Sequence, residues 1–243
     1  MFRSSFLARV LAIALLAGLS GGGAEWQAHA QGSASDPRIA RALQEYKQRL
    51  VLENNAARDE RVRARIDALT ANPGSPVLAN PKGDVTIVEF FDYVCPYCKA
   101  AEPRLIHLVN SDKRVKLIMK EFPILTKESM IASRMALAAV RQGKYRPFHL
   151  ALMRRTGRLD EAAIVETATS VGLNIPQLRR DMYAPEVTDE IIANFNLARA
   201  IRVFQTPTYI VGSHALAQDS ADINFSAEVA QARAKQVESN RRK

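Results

Sequence analysis

Two periodicities divide the chain. Over residues 37–69 the apolar positions follow helical spacing: Ile39, Leu43, Tyr46 and Leu50 share one face. The polar run Glu53-Asn54-Asn55 breaks the stripe, which resumes, shifted, as Val62, Ile66 and Leu69. Asp36 ahead of Pro37 supplies an N-cap with proline at the first helical position. Residues 71–84 (ANPGSPVLANPKGD) hold three prolines and two glycines and read as a linker, with a short extended piece at Val77-Leu78. Residues 85–91 (VTIVEFF) are a continuous run rich in β-branched and aromatic residues, the pattern of a buried strand. A helix is expected from Pro96 to about Asn110, and a second strand over 115–122 (VKLIMKEF). Strand, helix, strand is a βαβ unit, which calls for a right-handed crossover and a parallel sheet.

Residues 123–207 are almost entirely helix-patterned. Ile131, Met135 and Ala138 make one stripe; Leu159-Asp160 and Leu173-Asn174-Ile175-Pro176 open further segments; Val187, Ile191, Phe195 and Ala198 mark a last long helix. Residues 208–212 (TYIVG) read as a strand ending in a turn, with Ala215-Leu216 able to pair back as a hairpin. A terminal helix from Asp222 or Ser226 to about Val237 precedes the basic tail Arg241-Arg242-Lys243.

The length of 243 residues supports a real core, and 47% hydrophobic with 24% charged residues is the balance of a globular protein rather than a disordered one. The N-terminus changes the picture of where the chain works. Arg3 and Arg9 precede an apolar stretch at 10–19 (VLAIALLAGL), and Ala28-His29-Ala30 is an A-x-A cleavage pattern. Residues 1–30 therefore read as a signal peptide cut after Ala30; the stretch is about half the roughly twenty residues a membrane-spanning helix needs. An uncleaved anchor is the alternative. The expected destination is an oxidising compartment, the periplasm. The net charge of +9 is read as a solvated surface. No basic motif interleaved with aromatics is present, and nucleic acid is not expected as a partner.

Both cysteines of the chain lie in Cys95-Pro96-Tyr97-Cys98. A structural disulfide usually closes a long loop, because that constrains the unfolded chain more. A pair two residues apart constrains almost nothing, so the spacing argues for redox chemistry. Cys95 follows a buried strand and should stand at the start of a helix, with Pro96 at the first helical position. Unpaired amides and the positive end of the helix dipole would favour its thiolate. Cys95 is accordingly the candidate nucleophile, and Cys98, one turn on, the candidate resolving thiol. Half of a zinc site is the alternative, but structural zinc wants four ligands. No second cysteine pair exists, and His107, His149 and His214 have no paired spacing; no metal is expected.

The segment 89–99 (EFFDYVCPYCK) resembles the active-site strand and helix start of DsbA-family thiol–disulfide oxidoreductases, and more narrowly their Com1-like and ScsC-like branch. The resemblance runs over about residues 76–216. It implies an α/β, thioredoxin-like fold with an inserted helical domain, preceded by an N-terminal helix. The corresponding division is a signal peptide at 1–30, an N-terminal helical region at 31–71, and a thioredoxin-like domain at 72–243 with its helical insertion at about 123–202. The segment 206–212 (TPTYIVG) matches a second family motif, in which the proline is cis and lies opposite the cysteines. Thr206 and Pro207 are thus the candidate substrate-binding residues, offering backbone to which an extended client peptide could add as a strand. An ordinary proline before an edge strand is the bland alternative.

Glu89 shares a strand face with Ile87 and Phe91 by alternation and so is expected to be buried; a buried carboxylate needs a partner. Lys120, in the adjacent strand, is the expected partner, and the two look like the family's charged pair that tunes the thiols. A half-exposed strand charge is the other reading. Pro96 and Tyr97 surround the nucleophilic sulfur and should influence redox poise. Tyr97 cannot supply the cation that histidine gives some relatives, which argues against extreme oxidising power. Asp92 and Tyr93 are expected along the cleft without a catalytic rank.

The functional expectation is an exported protein thiol–disulfide oxidoreductase that forms, reduces or isomerises disulfides in cysteine-bearing clients, without an organic cofactor. A membrane redox partner is expected. Residues 37–69 either fold back on the domain or pair with other copies as a short coiled coil, and an oligomer would favour isomerisation. The alternative from another class is a non-catalytic binding module for unfolded chains or Cu(I).

Overall fold

The computed structural model describes residues 37–217 and 223–241. The signal-peptide reading at 1–30 and the N-cap at Asp36 lie outside the described residues.

Helix α1 (Pro37–Arg63) follows the first stripe, and Ile39, Leu43 and Tyr46 remain exposed along it. The chain divides into two units at residues 54 and 55. The helix expected to run on to residue 69 stops at Arg63; Arg65 (φ −128°, ψ 16°) leaves helical geometry before α2 (Ile66–Thr70) begins. The physical reason is the shifted stripe. The break lets Val62 and Leu69 both bury in one apolar cluster with Val88, Phe90 and Ile118.

The second unit is built on a four-stranded sheet. In chain order its elements begin with β1 (Val85–Phe91), α3 (Pro96–Ser111) and β2 (Val115–Glu121). Five helices follow: α4 (Lys127–Ala138), α5 (Tyr145–Arg154), α6 (Glu161–Ser170), α7 (Ile175–Asp181) and α8 (Pro185–Ala200). The chain then returns through β3 (Thr208–Val211) and β4 (His214–Ala217) and ends in α9 (Phe225–Arg241). The strand order is β2-β1-β3-β4. β1 pairs parallel with β2, as the crossover requires, and antiparallel with β3, which joins β4 through a two-residue turn at Gly212 (φ 61°). A positive φ is costless only for glycine, so Gly212 suits that tight hairpin.

Both faces of the sheet are covered, which is why VTIVEFF reads as unbroken apolar sequence. Val85, Ile87 and Phe91 face one cluster with Cys98, Ala101 and Leu105 of α3, Phe148 of α5 and Phe225 of α9. Val88 and Phe90 face the other, against Leu197 of α8 and Ile201. The piece at Val77-Leu78 bridges antiparallel to Ile118. Arg233 of α9 binds Asp84 just before β1 and Asp112 just after α3, and so ties the base of the crossover.

Candidate active site

Cys95 is the N-cap of α3, in extended geometry (φ −67°, ψ 118°), with Pro96 in the first turn. The preceding loop is held by Asp92. One oxygen of its buried carboxylate accepts the Val94 amide (2.8 Å) and the Ser129 hydroxyl (2.7 Å). The other accepts the amides of Ile124 (3.0 Å) and Leu125 (3.1 Å). Asp92 therefore fastens the turn before Cys95 to the segment leaving β2.

Both cysteines are free thiols. Cys95 is nearly buried and Cys98 fully so. The thiol of Cys95 donates to the carbonyl oxygen of Thr206 at 3.3 Å. Thr206 precedes Pro207 through a cis peptide bond. The two motifs are thus in contact at the mouth of α3. Tyr97 lies between the cysteines with its ring largely exposed.

The two thiols are electrostatically unlike. The hydrogen bond from Cys98 is the largest influence on Cys95, joined by the Thr206 side chain and the amides of Cys98 and Tyr97; together they outweigh burial and bring the Cys95 pKa from 9.0 down to about 6. Burial dominates at Cys98 and drives its acidity the other way, helped by the bond to Cys95 and the charge of Glu89. One sulfur is poised as an anion near neutrality and its neighbour holds its proton. That asymmetry lets the pair react in sequence rather than compete.

Glu89 is fully buried on the face expected from alternation. The hydroxyl of Tyr209 donates to its Oε1 at 3.1 Å, and burial followed by the charge of Glu102 holds its carboxyl well above the usual range. The expected Glu89–Lys120 pair is a correction. The register sets Glu89 opposite Met119 and Lys120 opposite Phe90, so the two side chains leave opposite faces of the sheet. Lys120 donates instead to Ser75 Oγ at 2.6 Å, and Ser75 in turn to Glu190 Oε1 at 2.8 Å. Burial, its main influence, depresses the Lys120 pKa. This lysine anchors the linker and α8 on the far side from the thiols.

Tyr93 is fully buried. Its hydroxyl donates to Glu121 Oε1 (3.0 Å), which also receives the Tyr145 hydroxyl (2.9 Å); Ser133 donates to Glu121 Oε2 (2.7 Å). Burial raises the Glu121 carboxyl to about 8 against these three bonds. His149 and Glu102 complete the cluster, with Nε2 and Oε1 3.3 Å apart. Sequence reasoning missed Glu102, Glu121, Tyr145 and His149. For Glu121 a signal was present: it pairs with Phe91, on the same face as Glu89, and alternation along β2 points it inward. For His149 there was none, since its place depends on how α5 packs.

Among the described residues no group of three His, Cys, Asp or Glu side chains is arranged to hold a metal ion. None of the described helices is long and apolar enough to cross a membrane.

Several known proteins have chains related to this one. A thioredoxin-like oxidoreductase from Silicibacter pomeroyi DSS-3 is 43% identical, covers 69% of this chain and 97% of its own, and superposes with a TM-score of 0.65. A linker-deletion variant of Proteus mirabilis ScsC shares the fold at 22% identity, covering 90% of this chain and all of its own (100%), with a TM-score of 0.69. Among curated relatives, Na(+)/H(+) antiporter NhaA 3 of Salinispora tropica is 27% identical over 129 residues, and the match spans 52% of this chain but 20% of that protein. Residues 86–231, more than half of the chain, match the DSBA-like thioredoxin domain, and the chain belongs to that family.

Proposed function

We propose that the chain is an exported thiol–disulfide oxidoreductase acting on cysteine-bearing client proteins. The observation that carries this reading is the thiol of Cys95 at the N-terminus of α3, brought down to about 6 and lying 3.3 Å from the Thr206 carbonyl. The Cys95 thiolate attacks one sulfur of a client disulfide. A mixed disulfide forms, and the client's other sulfur leaves with the electron pair. Cys98 then loses its proton and attacks Cys95 Sγ; the client sulfur departs as thiolate, and Cys95–Cys98 is left oxidised while the client is reduced. Run backwards, the same steps give a client its disulfide. Thr206 and Pro207 present the client's backbone to the sulfur, and Pro96, Tyr97 and Glu89 set the poise of the pair. No further cofactor is needed for these electrons.

The exposed face of α1 supports a second part of the proposal. Ile39, Leu43 and Tyr46 lie open along the helix, as a self-associating stripe would in one isolated chain. Copies joined through residues 37–69 would present several thiol pairs to one misfolded client, which favours isomerisation. A membrane redox partner resets the pair, and residues 1–30 direct export to the periplasm.

The test is turnover of a disulfide-bearing protein. Reduction or reshuffling that disappears in Cys95→Ser supports the enzyme; stoichiometric binding of unfolded protein or Cu(I) without turnover replaces it with a binding module. Solution mass before and after deletion of 37–54 tests the oligomer: an unchanged monomer removes it.

A further inference from the structure

The surface beside Cys95 carries a charge imbalance that the exchange steps above do not use. Helix α5 ends at Arg154, and residues 155–160 lead from it to α6. Gly157 (φ 79°) turns that loop, Leu159 is buried in the main apolar cluster, and Asp160 accepts the Ala163 amide at 2.9 Å as the cap of α6. Arg158 is thus held at the crest, between a turn that suits glycine and a buried leucine.

The cations here are not spent on the fold. Lys99, the residue after Cys98, donates to the carbonyls of Leu152 (2.8 Å) and Arg155 (2.9 Å). That ammonium already offsets the negative end of α5, so Arg154 is not needed for it. The carboxylates of the surrounding elements are engaged or buried. Arg155 holds Glu166 at 2.8 Å, Arg179 holds Glu161 at 2.7 Å, Lys127 lies 3.8 Å from Glu128, and Glu102 is buried. Arg154 and Arg158 are exposed and make no ion pair among the described residues.

Two clefts meet this loop. The first, of about 230 Å³, is lined by Val94, the neighbour of Cys95, together with Gly157 and Arg158. The second, of about 680 Å³, lies between α3 and α5, where Pro103, Ile106, Leu150 and Met153 make an apolar lining beside Arg154 and Arg155. Lys99 borders both clefts. The arm of a second copy is a poor occupant: residues 37–54 carry Arg38, Arg41, Lys47 and Arg49 against Glu45 and Glu53, and like charges repel.

We infer that this surface selects clients: it takes polypeptide segments with acidic residues beside the reacting cysteine and an apolar side chain beyond them. A client aligned on the Thr206 edge and continuing past Val94 meets Arg158 first and the apolar cleft next. Arg154 and Arg158 attract and orient the segment; they touch no reacting sulfur and are specificity residues rather than catalytic ones. The inference rests on the oxidoreductase reading and names the client class of that same site.

The test uses the reduced full chain and short single-cysteine peptides activated as 2-thiopyridyl disulfides. The Cys95 thiolate attacks the peptide sulfur, the Cys95–peptide disulfide forms, and the thiopyridine leaves with the electron pair and is read by absorbance. One peptide flanks its cysteine with two glutamates and then a leucine on each side; the others carry lysines or serines in place of the glutamates. Each rate is divided by that of dithiothreitol with the same peptide, which removes the peptide's own reactivity. The glutamate peptide is expected to react about tenfold faster than the lysine peptide at low ionic strength. The advantage should shrink towards unity at about 0.5 M salt. Arg154→Glu with Arg158→Glu should reverse the order. Lys82→Glu with Lys113→Glu makes the same change in net charge at exposed positions ahead of β1 and β2, at the other end of those strands from Cys95, and should keep the order.

Equal rates for the three peptides, or a preference indifferent to salt, overturn the inference, and the unaltered chain alone decides this if the arginine variants fail to fold. A preference lost equally in the lysine variant belongs to the charge of the whole molecule and also overturns it. If phosphatidylglycerol vesicles capture the chain through these arginines while the peptide rates are equal, the occupant is a lipid surface and the inference falls. No thiopyridine release with any peptide overturns the oxidoreductase reading itself.

Discussion

Cys95 Sγ and the carbonyl oxygen of Thr206 meet at 3.3 Å across 111 residues of sequence. The contact puts a backbone edge beside the sulfur that is easier to ionise. If that sulfur is the nucleophile, replacing each cysteine gives different outcomes. Cys95→Ser should abolish exchange. Cys98→Ala should still attack and then stall, so that mixed disulfides with a test protein accumulate and are seen by mass.

The ionisation of Cys95 is itself measurable. Thiolate absorbance should titrate with a midpoint of about 6. The bond from Cys98 is the largest influence, so Cys98→Ala should move that midpoint upwards. The linked effect on stability has a definite sign. A thiol made more acidic by folding stabilises the reduced fold fully above its ordinary value of 9.0 and loses that stabilisation as pH falls through about 6. Denaturant midpoints of the reduced form should therefore fall relative to the oxidised form across that window.

Glu121 has the opposite sign. Its carboxyl rises from 4.5 to about 8 on folding, mainly through burial. Its contribution is fully present below 4.5 and is lost as pH climbs through about 8. Glu121→Gln keeps an acceptor for Tyr93 and Tyr145 but cannot ionise. The variant should lose less stability than the unaltered chain between pH 5 and 9, as read by urea unfolding. Equal slopes would show that Glu121 does not titrate there.

Asp92 should prove a structural linchpin of the site. Asp92→Ala strips four donors of their acceptor, the amides of Val94, Ile124 and Leu125 and the Ser129 hydroxyl. At about 1–3 kcal/mol for the buried Ser129 hydroxyl left unpaired, and less for each of the three part-buried amides, the loss should exceed about 2 kcal/mol. Thermal unfolding measures it, and a change within experimental error would count against this reading of the loop.

The strands and the helix that begins at Pro96 were legible because the sheet is buried on both faces and its runs are short, apolar and bounded by turn residues. The cysteine spacing stood out because it departs from what packing alone would ask, whereas the segment 206–212 was legible only through its resemblance to a family motif. Lys120 was misread because adjacent strands suggest pairing, whereas a register difference of one residue reverses the face. Its actual partner, Ser75, lies in a linker whose path no periodicity encodes. The break after Arg63 follows from a phase change in the stripe that was visible, although its geometric outcome was not. His149 could not be placed at all, because its position is set by α5 packing across the end of β1.

Synthesis runs from the amino to the carboxyl end, and the two halves of this site are made far apart in time. A chain that ends before Thr206, cut short by a nonsense codon or a protease, already carries both sulfurs but has no opposing edge on which to align a visitor. On the proposed function, such a fragment would carry reactive thiols without the edge that gives them selectivity.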